Sequence, residues 1–151
     1  MDKKAKESAT PEPEPQEKII AEYLDGKVVA AACDASRDFY EKNRYGEPLQ
    51  KNYQYSLVEA LYLLERGKMQ IIHGKKELTF DQLRKMAIKL EANFFVRYAA
   101  FKDMRNRGYI VKTALKFGAD FRVYDRGVKP GDDHAKWILY PMSKSIRMNW
   151  F

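Results

Sequence analysis

"RGYIVKTALKFGADFRVY", residues 107–124, is the stretch whose reading decides the fold. Two runs rich in β-branched and aromatic residues, "YIVKT" and "DFRVY", stand on either side of a break at Gly118. Strand, turn and strand is the structure such a pattern predicts. Upstream, "VRYAAFKDMRNRG" predicts a helix closed by Gly108, with its Arg and Lys residues mostly on a solvated face. Downstream, "HAKWILYPM" predicts a further strand, stopped by Pro141. A helix followed by strands therefore occupies the second part of the chain, from about residue 93 to 151.

The first part has a different build. Residues 1–17, "MDKKAKESATPEPEPQE", are almost wholly polar, and they predict a flexible extended leader. Order is expected from "KIIAEYLDGKVVAAA", where two apolar runs flank Asp25-Gly26, a strong hairpin signal. "SRDFYEKNRYG" predicts a short helical or irregular stretch ending at Gly46. "SLVEALYLLERGK" predicts a helix with Ser56 as N-cap, Glu59 completing a capping box and Gly67 as the stop. Its apolar face is Leu57, Ala60, Leu61 and Leu64. "MQIIHG" predicts a short strand. "TFDQLRKMAIKLEANF" predicts a second helix, with Thr79 and Gln82 as its capping box and an apolar stripe of Leu83, Met86, Ala87 and Leu90. The boundary between the two parts falls near Glu91–Asn93. The expected class is α+β: an N-terminal domain over 18–92, a small sheet packed with helices, and a C-terminal domain over 93–151 built on a central mixed sheet.

Composition narrows the partners. With Lys+Arg 28 against Asp+Glu 21, the net charge is +7, a surplus that favours a polyanion through counterion release. Hydrophobic residues make up 45% of the 151, enough for a packed core, which excludes a wholly disordered chain. The single cysteine, Cys33, lies among alanines and reads as a small buried hydrophobe. Neither His73 nor His134 has neighbours at metal-ligand spacing. His73, beside Gly74, reads as a solvent-facing turn residue and is assigned no role. No apolar run reaches the length of a membrane span, so a soluble protein of a reducing interior, the cytoplasm, is expected.

Tyr124 and His134 are the residues through which this chain would do chemistry. RNA carries its own nucleophile, the 2'-hydroxyl. Cleavage through it needs a base for the hydroxyl proton, an acid for the departing 5'-oxygen and a cation for the phosphate. Histidine suits the acid because it titrates near neutrality. Tyrosine suits the base if basic neighbours such as Arg122 and Arg126 favour the phenolate. Ten positions apart, the two would converge on one phosphate if they flank a loop between adjacent strands. The bland reading stands beside this one: a strand-end tyrosine is usually packing, and a histidine after "DD" is usually a surface residue.

"RNRGYIVKTALKFGADFRVYDRG" with "DDHAKWILYP" closely resembles the archaeal tRNA-splicing endonuclease family, and the likeness extends from about Ile19 to Phe151. The resemblance implies a nuclease domain in the second part, with Tyr124 as general base and His134 as general acid. It implies a precursor tRNA with a bulge-helix-bulge motif as substrate, and 2',3'-cyclic phosphate and 5'-hydroxyl ends as products, with no metal and no cofactor. It also implies a third catalytic residue, a lysine on a helix after the strand that follows the histidine, with base-clamping arginines and the last strands in the same region. The sequence ends at Phe151, and Lys144 reads as a loop residue without that role. The expectation is therefore that residues 1–151 need a lysine-bearing segment, in cis or from another chain, with Trp150 and Phe151 waiting to pack against it. Family members assemble as homotetramers, homodimers of fused repeats or heterotetramers, so self-association or a second subunit is expected. Two rivals stand: a non-cleaving structural subunit of the same enzyme, and a basic RNA-binding module without catalysis.

Overall fold

The computed structural model describes residues 17–114, 120–131 and 134–142. Residues 1–16 of the leader, Gly118, Lys144, Arg147, Trp150 and Phe151 lie outside the described residues. The two apolar runs around Asp25-Gly26 close as a hairpin of β1 (Ile19–Leu24) and β2 (Lys27–Ala31), with Leu24 opposite Lys27. Asp25 and Gly26 have φ of 48° and 80°, the pair of left-handed residues that a tight two-residue hairpin turn requires.

After β2, the stretch expected to be helical or irregular forms helix α1 (Asp34–Asn43). Its N-cap is Cys33, which corrects the reading of that residue as a buried hydrophobe. Cys33 is only partly buried, and its Sγ accepts from the Ser36 backbone N–H at 3.4 Å while the Ser36 hydroxyl accepts from the Cys33 N–H at 2.8 Å. The same reciprocal geometry that serine normally supplies is achieved here with sulfur. Strands β3 (Glu47–Leu49) and β4 (Asn52–Tyr55) then form a second hairpin that the sequence did not announce.

Helix α2 (Leu57–Glu65) starts and stops as its signals predict, with the Ser56–Glu59 box formed and Gly67 at φ 70°. It is buried over seven consecutive residues, Leu57 to Leu63, and not on one face only. It is thus a central helix, clad on several sides. Strand β5 (Met69–His73) runs parallel to β1, and β6 (Lys76–Glu77) pairs with β5. The six-stranded mixed sheet has the order β3-β4-β2-β1-β5-β6. His73 is exposed, with its ring edge-on to Tyr23 at 5.1 Å. In α3 (Phe80–Leu90), capped by Thr79 and Gln82, Leu83 and Ala87 are buried but Leu90 is 58% exposed. The apolar stripe ends one turn earlier than its spacing suggested.

Helix α4 (Phe94–Asn106) leads into β7 (Ile110–Thr113), β8 (Phe121–Tyr124) and β9 (Trp137–Leu139). The three strands pair antiparallel in the order β7-β8-β9. The buried stripe of α4 is Phe94, Tyr98, Phe101 and Arg105, at helical spacing. Its cations are not mostly solvated, as expected from sequence. Arg105 is buried, Arg97 pairs with Glu91 and Asp120, and Lys102 pairs with Glu65. One apolar core runs from Ile19 and Leu61 through Phe94 and Phe101 to Phe121 and Val123. Tyr62 meets Phe101 edge-on at 5.7 Å, and Phe101 meets Phe121 at 5.8 Å. Rings therefore carry the packing from α2 through α4 to the second sheet.

Gly46 sits where this packing is tightest. Its φ is 81°, and a Cβ there would lie 2.8 Å from Cε1 of Tyr55, itself 1% exposed. Gly46→Ala is expected to cost roughly 2 kcal/mol or more, from left-handed strain and overpacking together. A urea titration checks this, and a midpoint equal to the parent's would contradict it.

Candidate active site

The loop between β8 and β9 is built around one carboxylate. Asp125 follows Tyr124 directly, and its Oδ1 accepts from the Arg126 N–H at 2.8 Å. Its Oδ2 accepts from Lys136 Nζ at 3.2 Å, so the outgoing and returning limbs of the loop are clamped together. The Arg126 N–H and the Lys136 ammonium hold the Asp125 carboxyl below the usual carboxylate range. Val128 N–H donates to the Asp125 carbonyl at 3.0 Å, with Gly127 at φ 75° in the turn. Lys136 N–H donates to the Val123 carbonyl at 3.0 Å, which returns the chain to the β8 ladder. A pocket of about 310 Å³ opens here, lined by Asp125, Val128, His134 and Lys136.

Tyr124 and His134 are thus brought to the two ends of one loop between adjacent strands, the arrangement their spacing required. Tyr124 is the last residue of β8, opposite Ile110, and is 4% exposed. His134 is exposed and lines the pocket, three residues before β9. Tyr124 is not among the lining residues. The two arginines expected to favour its phenolate are engaged elsewhere. Arg122 Nε donates to the Thr113 carbonyl at 3.1 Å. Arg126 Nε donates to the Arg107 carbonyl at 2.7 Å, and its guanidinium covers the Tyr109 ring. Sequence reasoning passed over Asp125 and its clamp on Lys136. The available signal was position: Asp125 adjoins the tyrosine, and Lys136 lies two residues after the histidine, on the same side of an extended chain.

In the strand that pairs with β8, Lys112 of β7 is buried. Its ammonium donates to the carbonyls of Arg44 at 2.7 Å and Gly46 at 3.1 Å, and pairs with Glu59 at 3.1 Å and Glu47 at 3.0 Å. Glu59 is itself buried in α2, completes the Ser56 capping box and accepts from the Gly46 N–H at 2.8 Å. Arg105 lies beside this pair. It donates to the Asn43 carbonyl at 2.7 Å and the Val111 carbonyl at 3.2 Å, with its guanidinium 4.0 Å above the Tyr45 ring. Burial pushes the Tyr45 phenol up to about 12. Buried charges survive in a protein interior when they are paired and hydrogen-bonded. The Lys112–Glu59 pair meets both conditions, while Arg105 is held by two carbonyls and ring faces with its Nε unpartnered.

Burial pushes the Glu59 carboxyl up, but Lys112, the Gly46 N–H and Arg105 together hold it below its ordinary value of 4.5. A depressed folded value means the unfolded chain binds the proton more readily. The stabilisation is therefore present above pH 4.5 and is lost as pH falls through the lower folded value. In Glu59→Gln this part of the acid limb is expected to vanish, with stability lower at neutral pH. Urea midpoints measured across acid pH check it. A Glu59→Gln profile parallel to the parent's would contradict it.

Among the described residues no group of three or more His, Cys, Asp or Glu side chains could hold a metal ion. No described helix is long and apolar enough to cross a membrane.

A mixed sheet packed with helices, joined to a helix-backed antiparallel sheet, is an α+β build. Residues 19–84 match the family model "tRNA intron endonuclease, N-terminal domain", and residues 94–151 match "tRNA intron endonuclease, catalytic C-terminal domain". The chain is 41% identical over 115 residues to the tRNA-splicing endonuclease of Thermococcus onnurineus, covering 76% of this chain and 66% of that one. It is 36% identical over 132 residues to the tRNA-splicing endonuclease of Thermococcus gammatolerans, covering 87% and 77%. The Methanothermobacter thermautotrophicus tRNA-splicing endonuclease is 36% identical over 121 residues, covering 80% and 70%. The chain spans between 66% and 77% of the length of these relatives. It belongs to the tRNA intron endonuclease family.

Proposed function

We propose that this protein is a tRNA-splicing endonuclease that cuts precursor tRNA at intron boundaries, with Tyr124 and His134 as its base and acid. The observation that carries the reading is the single loop between β8 and β9, with Tyr124 at one end and His134 at the other, beside Lys136. Tyr124 takes the proton of the 2'-hydroxyl as O2' attacks the phosphorus. The P–O5' bond breaks, and His134 gives its proton to the departing oxygen. The products are a 2',3'-cyclic phosphate and a 5'-hydroxyl, and no water is consumed. Stabilising charge on the phosphate requires a cation, and Lys136 lines the same pocket as His134. Its pairing with Asp125 keeps that charge beside the histidine before substrate arrives.

The substrate feature recognised is a bulge-helix-bulge, where unpaired nucleotides leave the 2'-hydroxyl free to line up with the scissile bond. The enzyme works as an assembly, through self-association or a second subunit. In support, β9 is an edge of the described sheet; Trp137 and Ile138 in it are 41% and 47% exposed, and Tyr140 and Met142 just after it are 55% and 56% exposed.

A +7 chain gripping a phosphate backbone releases counterions. Affinity for precursor tRNA is expected to fall roughly tenfold for each doubling of salt if three to four phosphates are contacted. Filter binding across a salt series, run alongside cleavage of the same RNA, tests the reading. Salt-independent binding, or cutting without regard to the intron boundaries, would overturn it.

A further inference from the structure

The strands of the second sheet present two different faces. Val111, Phe121 and Val123 belong to the core shared with α4. Ile110 and Lys112 alternate with Val111 and so lie on the opposite face. The register sets Ile110 against Tyr124 and Lys112 against Arg122. Directly opposed residues of an antiparallel pair share a face, so Tyr124 is on the side of Ile110 and Lys112. Lys112 is the diagonal neighbour of Tyr124, with Cα atoms about 7–8 Å apart. All three residues are buried, at 4%, 5% and 4% exposure for Ile110, Lys112 and Tyr124.

What lies against this face is visible through Lys112. Its ammonium is surrounded by the Arg44 and Gly46 carbonyls and by the carboxylates of Glu47 and Glu59. These oxygens come from the turn after α1, from β3 and from α2, all in the N-terminal half. Arg44 is left-handed, with φ 57°, so this turn is held in a shape that its own residues do not favour. A compact ammonium with three donors can be caged by oxygens from several directions, as a planar guanidinium cannot. Apolar packing already holds the halves together through α4, on the other side of the sheet. Lys112 therefore adds a directional constraint on the face that carries Tyr124.

We propose that Lys112 is a positioning residue for the reaction: a buried strut from the N-terminal half to β7 that fixes the ring of Tyr124 for proton abstraction. The inference rests on the proposed role of Tyr124. A base must sit within hydrogen-bond reach of the proton it takes, and a displacement of about 1 Å can cost a hundredfold in rate.

The test separates positioning from folding. Lys112→Met leaves the Glu59 carboxylate buried and unpaired and is expected to lower the Tm. The double variant Lys112→Met/Glu59→Gln removes both charges and is expected to recover most of that Tm. Two quantities are then read on the full chain: kcat and KM for precursor-tRNA cleavage, and the 19F spectrum of 3-fluorotyrosine-labelled protein, with the Tyr124 resonance assigned by Tyr124→Phe. In the double variant the Tyr124 resonance is expected to shift or broaden while those of Tyr62 and Tyr98 stay in place. The kcat is expected to fall about a hundredfold with KM unchanged. A double variant with the parent's Tyr124 resonance and the parent's kcat would overturn the proposal. Where that variant fails to fold, Lys112→Gln/Glu59→Gln, whose amide still donates towards the carbonyls, is judged by the same two readouts. If Tyr124→Phe cuts as fast as the parent, the proposed function falls on its own account, and the 19F spectrum alone still decides whether Lys112 holds the ring.

Discussion

Tyr124→Phe and His134→Ala are each expected to slow precursor-tRNA cleavage by about a hundredfold or more while leaving RNA affinity nearly unchanged. The size follows from what a positioned base or acid contributes to proton transfer. Phenylalanine keeps the ring of Tyr124, which is buried at the end of β8, so the fold loses a hydroxyl and little packing. His134 is exposed on the loop and is not one of the core residues. Loss of kcat with unchanged KM is the signature of groups that act in the transition state. The two substitutions together are expected to cost little more than either alone, because both serve one concerted displacement. Single-turnover kinetics at matched RNA saturation make the measurement. Parent-like rates in both variants would remove Tyr124 and His134 from the mechanism.

Lys112→Met is expected to give the largest loss of stability of any single replacement considered. Removing one partner of a buried pair leaves the other charge uncompensated, at a cost of about 3–5 kcal/mol. Glu59 would keep the Gly46 N–H and the Ser56 cap but lose its ammonium, and the Arg44 and Gly46 carbonyls would lose their donor. For a chain of this length the expected drop in Tm is about 6–20 °C. Calorimetry at neutral pH reads it directly. A loss under about 1 kcal/mol, the size of a surface ion pair, would show that water reaches the pair and that the cluster is no internal joint.

What was legible in the sequence was local. The capping boxes at Ser56 and Thr79 are patterns four residues long, and both formed. Asp25-Gly26 announced its hairpin because only residues at ease with positive φ close so short a turn. The β3–β4 hairpin stayed hidden because its turn uses Gln50, at φ 56°, with no glycine or asparagine to mark it. Cys33 was misread because a thiol among alanines looks like packing, whereas its place just before α1 makes it a cap. Arg105 and Lys112 were illegible for another reason. A long cation on a strand or helix reads as solvated, and its burial depends on acceptors 62 residues away for Arg105 and 53 for Lys112. The site divided in the same way. Tyr124 and His134 stand in a recognisable stretch, while the Asp125–Lys136 clamp spans 11 residues across a loop and appears only once the strands pair.

The central claim is that this chain cleaves RNA through the substrate's own 2'-hydroxyl, with side chains of the β8–β9 loop moving the protons. End-group analysis of the cut precursor tRNA tests it most directly. A 2',3'-cyclic phosphate on the upstream fragment and a 5'-hydroxyl on the downstream one, with the cyclic end lost in Tyr124→Phe along with cleavage, is the predicted result. A 3'-hydroxyl and a 5'-phosphate would mean that water or another external nucleophile attacked the phosphorus, and would contradict the account.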